Sequence, residues 1–206
     1  MRTLTHLSIV VACLFLVSSC AKVFYAPDAY ALAHNQENFA IIPPTISIAA
    51  SKKVDADAIV EQQKTESLNF QKEMYAWMLK RKMQRKITQE VQETETTNAL
   101  LKRAGYPENP FTSAELCEIL GVDGIMTSNY ALSKPISEGA SIAMAIFGSD
   151  DAANEVRVSI SINDCSTKVL IWNYDHKYSG GLDRTHARLV NEILRDASER
   201  MPYMRR

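Results

Sequence analysis

Hydrophobic and polar positions alternate most regularly near the carboxyl end, where Val156, Val158, Ile160 and Ile162 interleave with Arg157, Ser159, Ser161 and Asn163. A period of two places the apolar set on one face, which predicts a half-buried strand. Asp164-Cys165-Ser166-Thr167 reads as a hairpin loop, and Lys168–Tyr178 as the returning strand. That strand has Leu170, Trp172, Tyr174, His176 and Tyr178 on one side and Val169, Ile171, Asn173 and Asp175 on the other. Upstream, Val122–Leu132 predicts a third strand that ends before Pro135. Phe39-Ala40-Ile41-Ile42 predicts a fourth, stopped by Pro43-Pro44, with Ile46 and Ile48 as an extension.

Other segments show helical spacing. From Asp55 to Lys86 there is no Gly or Pro, and Phe70, Met74, Trp77 and Met78 recur at intervals of three and four. A second helix is expected over Thr88–Ala104, ended by Gly105. Thr112-x-x-Glu115 has the form of a capping box, with Phe111 and Leu116 placed as a hydrophobic staple. It predicts a short helix over Ser113–Leu120 that closes at Gly121. After a turn at Gly180-Gly181, Asp183 is placed to cap a last helix. Its face is Leu189, Val190, Ile193, Leu194, Ala197 and Met201, and Pro202 stops it. Ile142–Phe147, between Gly139 and Gly148, fits a short helix or an apolar flap. The order predicts an α+β fold: a four-stranded mixed, largely antiparallel sheet with helices packed mainly on one face.

Composition changes this picture little, except at one end. Hydrophobic residues at 46% and charged residues at 23% are ordinary for a globular chain of 206 residues. Seven Gly and seven Pro exclude collagen-like and low-complexity classes. Lys+Arg at 23 against Asp+Glu at 24 leaves a net charge of −1, with no basic excess to attract nucleic acid. The first 20 residues differ from the rest. Arg2 and His6 precede a largely apolar run from Leu7 to Val17, shorter than the roughly 20 residues a membrane-spanning helix needs. Such a run matches the core of a secretory signal peptide. Leu16-Val17-Ser18-Ser19-Cys20 resembles a bacterial lipobox, in which the cysteine thiol takes diacylglycerol and becomes the new amino terminus. Two or three acyl chains anchor stably where one is marginal. The next residues, Ala21-Lys22, carry no acid, which by resemblance to Gram-negative sorting rules favours the outer membrane. The expected organisation is a signal peptide over 1–19, a lipidated terminus and tether over 20–37, and one α+β domain over 38–206.

The search for chemistry gives little. There is no phosphate-binding Gly loop, G-x-S-x-G elbow, H-E-x-x-H or C-x-x-C. Asp175, His176, Asp183 and His186 form the one cluster with acid–base or metal potential. Asp175 and His176, however, point to opposite faces of a strand, and Asp183 is assigned to a cap. No catalytic residue, metal or cofactor is expected. Cys117 and Cys165 could pair in an oxidising compartment, but the reading leans to two buried thiols. Three features could form a surface. The stripe Phe70, Met74, Trp77 and Met78 could be an adaptable partner face or ordinary core. The run containing Ile142, Met144, Ile146 and Phe147 must be buried in core, partner or lipid. The basic stretch Lys80–Lys86 (KRKMQRK) could meet anionic lipid or cell-wall carboxylates or be a solvated helix face.

The lipobox, the strand FAIIPP, the capped helix running into Leu120-Gly121-Val122-Asp123-Gly124-Ile125, and the ending Met201-Pro202-Tyr203 together resemble a group of periplasmic lipoproteins. That group shares the fold of the TolB amino-terminal domain, the curli secretion lipoprotein CsgG, and LpoB, the penicillin-binding-protein activator. The resemblance spans roughly residues 38–203 and bears more on fold than on function. It implies a non-catalytic outer-membrane lipoprotein facing the periplasm, serving as an interaction or assembly module of a secretion or cell-wall machine. Its expected partners are outer-membrane lipid through acylated Cys20, one or more envelope proteins, or further copies of itself. The alternative reading is a ligand-binding lipoprotein that uses the aromatic face of strand 168–178.

Overall fold

The computed structural model describes residues 21–49, 56–133, 136, 155–179 and 185–205. In chain order the elements are β1 (Lys22–Tyr25), α1 (Ala29–Asn35), β2 (Asn38–Ile41), β3 (Thr45–Ile48), α2 (Ala56–Met83) and β4 (Glu90–Val91). They continue as α3 (Thr94–Ala104), α4 (Ser113–Leu120), β5 (Gly124–Leu132), β6 (Glu155–Asp164), β7 (Val169–Ser179) and α5 (His186–Ser198). The α+β class is therefore as expected, but the details differ.

The sheet has seven strands among the described residues, not four, in the order β1-β7-β6-β5-β2-β4, with β3 also beside β5. Proline cannot donate to a ladder, so Pro43-Pro44 divides one expected strand in two. The first piece, β2, lies parallel to β5 along Gly124–Met126, and the second, β3, along Asn129–Leu132. β5, β6, β7 and β1 pair antiparallel in succession. Within the expected tether, Lys22–Tyr25 forms β1 on the sheet edge and Ala29–Asn35 forms α1 against the core. Four residues beside a proline are too few to show a period, so this edge strand was invisible. The expected start of the second helix is also corrected. Glu90-Val91 forms β4 beside β2, and α3 begins at Thr94.

Helices cover both faces, not mainly one. On the front, Phe39 and Ile41 of β2, Tyr130 of β5, Ile160 of β6 and Trp172 of β7 pack with Phe70, Met74 and Met78 of α2 and Leu189 and Ile193 of α5. On the back, Ala40, Ile42, Val122 and Ile125 lie under Leu101 of α3 and Leu116, Cys117 and Leu120 of α4. β2 is apolar on both sides, so its region needs two layers. β6 is apolar on one side only.

The capping box forms as predicted. Glu115 N–H donates to Thr112 Oγ1 at 3.3 Å, and Thr112 N–H donates to the Glu115 carboxylate at 2.7 Å. Gly121, at φ 63°, closes α4 with its N–H on Cys117 O at 2.9 Å. Asp183 lies outside the described residues; Thr185 Oγ1 caps α5 instead, accepting from Arg188 N–H. The leaning towards free thiols is overturned: Cys117 and Cys165 form a disulfide, with Cα atoms 5.5 Å apart. It joins α4 to the β6–β7 hairpin across 48 residues.

At the Gly124 end of the sheet, buried polar groups join distant segments. The Tyr203 hydroxyl donates to Gln36 Oε1, and Gln36 Nε2 donates to Asp164 Oδ1 at 2.8 Å. Asp164 Oδ2 also accepts from Ser166, from Thr167 Oγ1 and from Thr167 N–H. A Cβ at Gly124 would stand 2.1 Å from Gln36 Oε1, so only glycine fits beneath this network.

Candidate interaction surface

Periodicity on α2 turned the proposed methionine–aromatic stripe inward. Phe70, Met74, Trp77 and Met78 are all buried. Phe70 stacks on Tyr130 with centroids 4.2 Å apart, and the Tyr130 hydroxyl donates to the Met74 sulfur at 3.4 Å. These four residues hold the core and are not a partner face. The other expected surface residues, Ile142, Met144, Ile146 and Phe147, lie outside the described residues.

The aromatic side of β7 is also closed. Trp172 and Tyr174 are buried in the front core, and the hydroxyls of Tyr174 and Tyr178 bond each other at 2.9 Å. Burial raises the phenols of both Tyr174 and Tyr178. A ligand therefore finds no open ring face on this strand.

Among its described members, Asp175, His176 and His186, the acid–base cluster does not assemble. Asp175 is exposed, on the face of β7 opposite His176, which lies beside Tyr178 in an edge-to-face contact at 4.5 Å. His186 opens α5, and its Nε2 meets the buried carboxylate of Glu66 on α2. Glu66 also accepts from the Ile136 N–H at 3.0 Å and from Gln62 Nε2 at 2.9 Å. Sequence reading missed Glu66, because a glutamate in a polar stretch of helix resembles any solvated one. Its signal was its position four residues before Phe70, on the buried side of α2. Among the described residues, no group of three or more His, Cys, Asp or Glu could hold a metal ion. None of the described helices is long and apolar enough to cross a membrane.

Among the described residues, two exposed places group charged and polar side chains. The first is the end of α2. There Arg81 sits over the Trp77 ring at 4.3 Å. Lys82 bonds Glu90 at 2.6 Å and the carbonyls of Thr88 and Gln89. Two of the basic residues thus serve the fold. Lys80, Arg85 and Lys86 stay exposed around Met83, which is 85% exposed. The carboxyl-terminal segment adds Arg205, whose N–H donates to Lys86 O at 2.9 Å.

The second place is the back of the sheet beyond the cover of α3 and α4. The ladder registers align Phe24, Asn173, Ser161 and Thr127 in one row. Lys22, Asp175, Ser159 and Asn129 form the next row, and Lys177, Arg157 and Ala131 the one after. Asn173 Nδ2 donates to Ser159 and Ser161, each at 3.0 Å. Glu155 bridges Arg157 and Lys177, and the two cations hold its carboxyl below the usual carboxylate range. Phe24, 50% exposed, is a large apolar residue on this polar face.

No protein-family model and no curated protein sequence matches the chain. Several solved structures are similar in shape at low identity. Lipoprotein GNA1162 from Neisseria meningitidis is 11% identical with a TM-score of 0.45, covering 79% of this chain and 94% of its own. The PelC dodecamer from Paraburkholderia phytofirmans is 11% identical with a TM-score of 0.43, covering 92% of this chain and 100% of its own. The LpoB C-terminal domain from Salmonella enterica is 9% identical with a TM-score of 0.36, covering 70% of this chain and 83% of its own.

Proposed function

We propose that the protein is a non-catalytic lipoprotein of the bacterial outer membrane, anchored through acylated Cys20 and facing the periplasm. There it serves as an interaction module of an envelope machine. The observation that carries this reading is the way its polar groups are used. Gln36, Gln71, Gln89 and Asp164 bond backbone and neighbouring side chains inside the fold. A cationic helix end around Met83 is left at the surface. Basic side chains around an exposed thioether suit an adaptable protein contact. Ile142, Met144, Ile146 and Phe147 are the second proposed contact, on sequence grounds alone.

Two measurements test this reading. A photo-crosslinking residue placed at Met83 in intact cells is expected to capture an envelope protein. Recovery of uncrosslinked monomer alone, under conditions where a control lipoprotein is captured, overturns the contact. Radiolabelled palmitate is expected to enter the wild-type chain and not Cys20→Ala. Label persisting in that variant overturns the anchor.

A further inference from the structure

The distance between the proposed anchor and the first strand is very short. Ala21 is the single residue between Cys20 and Lys22. Lys22 is already in the ladder opposite Asp175, with Val23 opposite Tyr174 and Tyr25 opposite Trp172. Two residues of fully extended chain reach about 7 Å. β1 runs from Lys22 towards the β6–β7 hairpin, so its start points to the other end of β7. Lys177 stands there, paired with Arg157 of β6, which is in turn paired with Ala131 of β5. Lys22, Arg157 and Lys177 are all exposed on the back face. Two carboxylates accompany them, Asp175 opposite Lys22 and Glu155 between the other two. Long cationic side chains extend beyond the shorter carboxylates and suit the phosphodiester oxygens of a lipid surface.

The basic end of α2 is at the opposite end of the sheet. Glu90, just after it, pairs with Asn38, and Phe39 pairs with Gly124. From Gly124 to Ala131 along β5, at about 3.4 Å per residue, the separation is roughly 24 Å.

We infer that β1 is a short leash: it holds the corner formed by Lys22, Arg157 and Lys177 against the phosphodiester surface of the membrane and turns Lys80, Met83, Arg85 and Lys86 away from it. The inference rests on the reading of Cys20 as the acylated anchor. It deepens that reading, because a flexible tether would let either end meet the lipid and the leash selects one. The basic end of α2 is then presented to the aqueous compartment, and its partner is not the membrane that holds the anchor.

The experiment uses the natively acylated full chain in vesicles of phosphatidylethanolamine and phosphatidylglycerol containing a lipid with a headgroup nitroxide. A thiol-reactive fluorophore is attached at Lys177→Cys in one preparation and at Lys86→Cys in another, with the Cys117–Cys165 disulfide left intact. Several-fold stronger quenching at position 177 than at 86 is expected. Equal quenching at the two positions, or stronger quenching at 86, overturns the inference while palmitate labelling still supports the anchor. Loss of palmitate labelling and of vesicle association overturns the anchor reading and the leash with it. A further variant inserts about ten Gly and Ser residues between Ala21 and Lys22, a coil spanning roughly 17 Å. It is expected to keep acylation and lose most of the difference in quenching. A difference that survives the insertion shows that the short spacing does not orient the domain.

Discussion

At the residue scale, the informative side chains are buried polar ones, and Asp164 is the clearest. Burial pushes its carboxyl upward, but hydrogen bonds from Ser166, Gln36 and Thr167 outweigh this and hold it below the ordinary carboxylate range. The sign of the pH dependence follows. A folded-state pKa below the unfolded value of about 3.9 contributes stability that is fully present above that value. The contribution is lost as pH falls through the folded pKa. Asp164→Ala is expected to cost about 2 kcal/mol at neutral pH, since it leaves the buried Gln36 amide unpaired and releases the hairpin loop. In urea unfolding across pH, the gap between wild type and variant should begin to narrow as pH falls below about 4. A gap that stays constant in acid would contradict the assignment. Asp164 could not be singled out in sequence, where it was one polar residue of a hairpin loop. Gln36, its partner, is 128 residues away.

At the element scale, local signals were the most legible. The capping box at Thr112 and Glu115 and the closing Gly121 depend on residues within nine positions of one another, and both formed as predicted. So did the alternating strand β6, because a period of two needs only one apolar neighbour layer to be satisfied. Shorter elements were lost. β4 is two residues long and β1 four, and neither is long enough to carry a period. The disulfide belongs to this scale too, since it ties α4 to the β6–β7 hairpin. Closing a loop across 48 residues is worth about 4 kcal/mol in the chain-entropy account. Cys117→Ser with Cys165→Ser is expected to lower the free energy of unfolding in urea by that order and to leave the far-ultraviolet spectrum native. A double variant as stable as the oxidised wild type would show that the bond is not formed in the native protein.

At the scale of the whole molecule, the carboxyl-terminal segment closes the fold over residues far earlier in the chain. Tyr203 is buried, stacks on Phe39 with centroids 4.7 Å apart, and donates to Gln36. Burial raises its phenol well above the usual range. Tyr203→Phe keeps the ring and strands one acceptor, at an expected cost of about 1–3 kcal/mol. Tyr203→Ala removes the ring as well, at about 3–5 kcal/mol. Equal stability losses in the two variants would assign the residue's contribution to the hydroxyl alone. By itself the sequence determined the α+β class, the three longest strands β5, β6 and β7, the capping box of α4 and the glycines that close α3 and α4, because each depends on neighbours a few residues apart. Tertiary structure alone decided which faces were buried. It turned Phe70, Met74, Trp77 and Met78 into core, covered Trp172 and Tyr174, paired Cys117 with Cys165, and laid β1 on the edge of β7. A helical or strand period says that one face is apolar but not what covers it, and the cover here comes from segments more than 100 residues apart.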